Sequence, residues 1–210
     1  MIDVHPPEHG IHGGRDFFLH LFTITIGLLI ALGLEAAVEA MHHRHQREEA
    51  ETLIRQEIQN NLTKLRDGAP QATTELHQMF SVLQTLEARA HSQPGTLNEK
   101  DFVFHESPMQ DAAWRTASST GALTYMDYAE VERFSDAYKE QALLQTMEEQ
   151  ALDDYLELLP ILANNGTDGV VTPEAAKDAI PTTRRVVAHL KGMLDVGAGT
   201  VGAYEAALKQ

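Results

Sequence analysis

The residues best placed to do chemistry together lie in one short run, Glu35-Ala-Ala-Val-Glu39-Ala-Met-His42-His43-Arg44-His45. Glu35, Glu39, His42 and His43 stand at i, i+4, i+7 and i+8, so a helix carries all four on one face. Carboxylates and imidazoles in that pattern could ligate a transition metal or pass protons. Glu39 and His42 also make the Glu-x-x-His spacing of di-iron carboxylate bundles, but such sites use two of these pairs and two further Glu. The chain has no second pair, so a metal centre here would need a second copy of the helix. The competing reading is that these groups mark the end of an apolar segment and reach for water.

A second candidate is Trp114-Arg115, set among the small hydroxyl residues Thr116, Ser118, Ser119 and Thr120. It reads either as a groove floored by Trp114 with Arg115 aimed at an anion, or as a tightly packed helix whose Trp fills the core. His5, His9 and His12 have helical spacing, but Pro6, Pro7, Gly10, Gly13 and Gly14 argue against a helix there. Zero Cys removes thiolate nucleophiles and Cys-based metal sites. No Gly-x-Ser-x-Gly, Walker, Gly-x-Gly-x-x-Gly or His-Glu-x-x-His signature occurs, and no motif calls for a cofactor.

The chain of 210 residues has 31 acidic against 16 basic side chains, a net charge of −15. That balance disfavours a nucleic-acid partner held through its phosphates. Between Asp101 and Asp168 fourteen Asp or Glu face only Arg115, Arg133 and Lys139, a surface that would repel anions and accept a basic partner protein.

Phe17 to Leu34 reads FFLHLFTITIGLLIALGL, eighteen residues without a charge. At 1.5 Å each they make about 27 Å of helix, close to the thickness of a bilayer core. Residues 17–40 are therefore expected to form a single transmembrane helix after a His-containing tail, 1–16. A cleaved signal peptide fits less well, because Asp3, Glu8 and Asp16 precede the run and the run exceeds an ordinary h-region. Arg15 before the span against Arg44, Arg47 and Arg55 after it favours a cytoplasmic C-terminal body. Gly27 with Ala31, and Gly33 with Ala37, are small-xxx-small pairs that would let two such helices associate.

Residues 41–210 read as a stalk and a helical bundle. Leu53, Ile54, Ile58, Leu62 and Leu65 give one helical face, expected to end at Asp67-Gly68-Ala69-Pro70. A second helix over 71–91, bearing Leu76, Phe80, Leu83 and Leu86, would then turn back antiparallel. Residues 92–110 read as a long loop with a short extended piece at 102–104. A helix from Asp111 breaks near Gly121, and Asp127 with Glu130 makes a capping box for the next, which ends near Asn164-Asn165-Gly166. Thr172 caps a helix opened by Pro173, kinked or restarted at Pro181, with 196–202 loosely helical at best. The fold class is all-α: an N-terminal transmembrane helix continuing as a stalk into an antiparallel bundle of about four long helices.

The run DFFLHLFTITIGLLIALGLEAAVEAMHHRHQ, the segment Arg55-Gln-Glu-Ile-Gln-Asn-Asn61 and the segment AAWRTASSTGALTYMDYAEVERFSDAY together resemble a group of uncharacterised bacterial single-pass inner-membrane proteins. The resemblance implies a bacterial inner-membrane location and a helical body, and carries no activity or functional residue with it. The expected role is a non-enzymatic, membrane-anchored interaction or scaffold protein that associates with itself or another membrane protein. The alternatives are a tethered sensor binding a small ligand near Trp114, and a metal site at Glu35, Glu39, His42 and His43.

Overall fold

A computed structural model describes residues 13–97, 104–105, 108–163, 166–167 and 170–209. The chain is all-α. Its elements in order are α1 (Gly14–Ala90), α2 (Ala112–Thr120), a 3₁₀ turn (Ala122–Tyr125), α3 (Tyr128–Ala163), β1 (Gly166–Thr167), β2 (Val170–Val171) and α4 (Pro173–Leu208). The two strands form a minimal antiparallel ladder, Gly166 opposite Val171 and Thr167 opposite Val170. The expected tail lies largely outside the described residues, as do His5, His9, His12, the 102–103 part of the extended piece, and Asn164 and Asn165.

The chain divides into two compact units, 1–48 and 49–210. In the first, α1 is long and apolar enough to cross a membrane, with a mean hydropathy of 2.3 over its most apolar eighteen residues. Every side chain from Phe17 to His42 is exposed, so this helix is not the hidden core of a soluble fold. The three polar side chains between Phe17 and Leu34 bond within the helix. Thr23 donates to the Leu19 carbonyl at 2.9 Å and Thr25 to the Leu21 carbonyl at 2.8 Å. His20 Nδ1 lies 2.9 Å from the Asp16 carbonyl. Hydroxyls bonded back to the preceding turn can sit in hydrocarbon without a neighbouring helix to satisfy them.

The second unit is a bundle of the C-terminal part of α1 with α3 and α4. Ile54, Ile58 and Leu62 of α1 pack with Phe134, Ala137 and Tyr138 of α3 and with Tyr204 and Ala207 of α4. Further along, Leu76, Met79, Val82 and Leu86 pack with Tyr155 and Leu158 of α3 and with Ala176, Ala179, Val186 and Leu190 of α4. Early α1 thus meets early α3 and late α4, so α4 runs antiparallel to the other two. Among the described residues the long helices of the bundle are three, not the four or so expected, and α2 is a short fourth.

The turn expected at 67–70 does not form, because α1 passes through Gly68 and Pro70. Proline removes one backbone hydrogen bond and crowds the preceding turn, at a cost of about 3 kcal/mol in a helix interior. Against that stands an unbroken stripe, with Leu62, Leu65, Ala69, Ala72, Leu76 and Met79 at three- and four-residue steps, anchored in a core cluster on each side of the proline. Pro181 likewise leaves α4 continuous, and the Gly-rich stretch 196–202 is helical. Within it Gly197 is buried, with Leu65 and Leu144 in ordinary contact range of a Cβ placed there, and just before it a Cβ on Gly192 would meet Met147 Sδ at 3.2 Å. Two local signals hold as expected and a third holds in part. Gly121 ends α2 in the left-handed region at φ 76°, and Thr172 Oγ1 accepts the Ala175 N–H at 3.2 Å. Asp127 Oδ1 accepts the Ala129 N–H at 2.9 Å, but Glu130 does not close the capping box, because its carboxylate takes Arg55 instead.

Candidate functional site

The four-residue Glu/His face is on α1, as its spacing requires, and lies in the first unit. Glu35, Glu39 and His42 are exposed and His43 is half-buried. His43 Nε2 stands 3.9 Å from Glu39 Oε1, and the His42 and His43 rings are 6.3 Å apart. Among the described residues no three His, Asp or Glu side chains come together as a metal site would require. One helix presents these groups side by side and does not wrap them around a point.

Trp114 and Arg115 part company. The Trp114 ring stacks on Tyr138 at 5.2 Å and 15° and packs against the core, while Arg115 is exposed and pairs with Asp111 at 3.2 Å. Beneath Trp114 is a polar device that sequence reading missed. Glu57, buried on α1, accepts the Ala113 N–H at 2.9 Å, the Trp114 N–H at 3.4 Å and the Tyr138 hydroxyl at 2.6 Å. It thereby caps α2, whose own Asp111 makes no side-chain cap. One turn on, Asn61 donates to the Gln110 carbonyl at 2.6 Å and accepts the Gln110 N–H at 2.9 Å. Gln141 Oε1 accepts from Asn61 Nδ2 at 3.2 Å and from the Tyr204 hydroxyl at 2.6 Å. Burial and, next, the hydrogen bond to the Glu57 carboxylate push the Tyr138 phenol far above its ordinary value. Burial does the same to Tyr204. These groups satisfy one another and leave little free for a ligand.

The opening in the bundle lies elsewhere, where neither candidate predicted it. Between the two core clusters α1 presents Gly68, Ala69 and Ala72, α4 presents Gly197 and Ala198, and a cleft of about 390 Å³ results, within the range of small-molecule sites. Leu65, Leu144, Met109, Met193, Leu194 and Val201 supply its apolar wall. Met193 packs against both clusters. Four ionisable residues border it: Arg66, Glu75, His105 and Glu148. The Arg66 guanidinium is held by Glu205. Glu75, whose side chain is 8% exposed, has its Oε1 2.5 Å from His105 Nδ1. Tyr155, which packs on Phe104 at 5.8 Å, has its phenol raised by burial and then by the Glu75 charge. The sequence carries the small residues that border this cleft, Gly68, Ala69 and Ala72 and again Gly197 and Ala198, but not their meeting across the bundle.

Comparison of the chain with models of protein families, with curated proteins and with solved structures returns no match.

Proposed function

We propose that this chain is a single-pass membrane protein whose helical body is a binding module, and that its site is the cleft between α1, α3 and α4. The observation that carries the reading is the cleft itself. Its apolar wall of Leu65, Leu144, Met193, Leu194 and Val201 leaves hydrocarbon surface that a ligand with an apolar body would take out of water. The sensor reading is thereby kept and moved away from Trp114. Binding is favoured over catalysis because the ionisable groups at the cleft include an Arg66–Glu205 pair and a Glu75–His105 pair, which hold one part of the body to another.

The membrane reading is supported by the bare apolar helix, and the bacterial inner membrane by the resemblance of the span and stalk. Arg44, Arg47 and Arg55 against Arg15 favour a body on the cytoplasmic side. Self-association, or pairing with another membrane protein, is the second reading. Its support is that a Cβ on Gly27 or Gly33 would meet nothing within 4 Å, leaving the small faces of the span open to another helix. The acidic body keeps nucleic acid out of the proposal.

The test is thermal unfolding of the full chain in lipid nanodiscs across a metabolite library, beside Ala72→Leu. A ligand present at about a hundredfold above its Kd adds about 2.7 kcal/mol to stability. The expected result is a compound that raises the wild-type transition and leaves Ala72→Leu unmoved, because the leucine side chain occupies the cleft. Equal shifts in both proteins would place binding somewhere else.

A further inference from the structure

Resting on the reading of the cleft as a ligand site, we infer that its ligand is a small uncharged molecule, selected because the charged border of the cleft is already paired. Such a ligand has an apolar body and at most a hydroxyl, carbonyl or amide as its polar group; amines and acids are excluded alike. Leu65, Leu144, Leu194 and Val201 give the cleft an apolar wall, which takes hydrocarbon out of water whatever the head group. Met109 and Met193 add flexible, polarisable side chains that adapt to the outline of the body.

The border then decides the head group, because each ionisable side chain on it is in use. Arg66 is held by Glu205 of α4. His105 Nδ1 stands 2.5 Å from Glu75 Oε1, and that carboxylate is almost wholly buried. Glu148 is engaged as well. An acid would have to draw Arg66 from Glu205, and would bring its charge to a border shared with Glu75 and Glu148. An amine would have to draw Glu75 from His105, or Glu148 from its own interaction. A charged head that displaces nothing would lie against hydrocarbon without a counter-charge, the costliest arrangement of all. A neutral head needs none of these exchanges. Gln71, the uncharged polar side chain of the lining, can both donate to and accept from a hydroxyl or amide.

The experiment uses the full chain in nanodiscs with methyl-labelled methionine, titrated with phenylbutanol, phenylbutylamine and phenylbutyrate, three probes alike except in the head group. The expected result is that the alcohol shifts the Met109 and Met193 methyl resonances and binds about tenfold tighter than either charged probe, because charge is costly to bury beside groups that are already paired. Glu205→Ala supplies the second arm, since it takes away the partner of Arg66 without altering a lining residue. It should raise the affinity for phenylbutyrate about tenfold, as one charge-assisted hydrogen bond allows, and leave phenylbutanol unchanged. An amine or an acid that binds the wild type as tightly as the alcohol overturns the inference while leaving the cleft a binding site. So does a Glu205→Ala protein that binds the acid no better than the wild type. If none of the three probes moves Met109 or Met193, or if shifts are confined to Met41 as partition into lipid would give, the cleft reading and the inference fall together.

Discussion

Glu57 shows how a single side chain ties the body together. Its carboxylate receives two backbone N–H groups at the start of α2 and the hydroxyl of Tyr138 from α3, so one residue of α1 fixes two other helices. A glutamine of the same size keeps one acceptor oxygen and turns an amide N–H₂ toward donors. Glu57→Gln is therefore expected to lower the stability of the full chain by about 2–3 kcal/mol. Urea unfolding followed by the fluorescence of Trp114, the single tryptophan, reads this directly, because that ring stacks on Tyr138. A change within a few tenths would mean that the cap carries no weight. Arg55 plays a similar part, pairing with Glu51 at 3.0 Å and with Glu130, and lying 5.4 Å from the Phe134 ring. Neither role was legible in sequence. Arg55, Glu57 and Asn61 look like the polar flank of an amphipathic helix, and only the return of α2 and α3 over that flank buries them. The candidates that did stand out, Trp114 and Arg115, attracted notice for residue type, and their partners at Tyr138 and Asp111 send them to core and solvent.

Among elements, α1 shows how periodicity competes with local breakers. Gly68 and Pro70 argue for a turn, while the stripe from Leu62 to Met79 continues through them. The stripe prevails because the same α4 supplies partners on both sides of the proline. Pro70 is exposed and lacks only its own backbone bond, so Pro70→Ala should raise stability, by about 1–3 kcal/mol, with the fold unchanged. The urea midpoint of the same full-length protein is the measurement. A lower midpoint would indicate that the proline ends a helix there, as the sequence alone suggests. The caps at Asp127 and Thr172 and the stop at Gly121 were legible because each depends on neighbours in the chain. The helicity of 196–202 was not, because its three glycines read locally as helix breakers, whereas the burial of Gly197 and Thr200 in the assembled bundle holds the helix.

At the level of the whole molecule, the helical class and the apolar N-terminal helix follow from composition and from one uncharged run, and both stand. The cleft could not be read in advance. Its walls come from stretches around 65–75, 105–109, 144–148 and 193–201, which meet only when three helices are assembled. Its small residues, taken one by one, resemble loop punctuation. The Glu/His face at Glu35, Glu39, His42 and His43 is visible in spacing alone, whereas the cleft is made only by packing. The measurement that bears most directly on the molecule is native mass spectrometry of the full chain released gently from its membrane, wild type beside Ala72→Leu. The expected result is a reproducible small-molecule mass on the wild-type chain, in whatever oligomer it forms, that is missing from Ala72→Leu. Wild-type and variant chains of identical excess mass would contradict a binding role for the cleft.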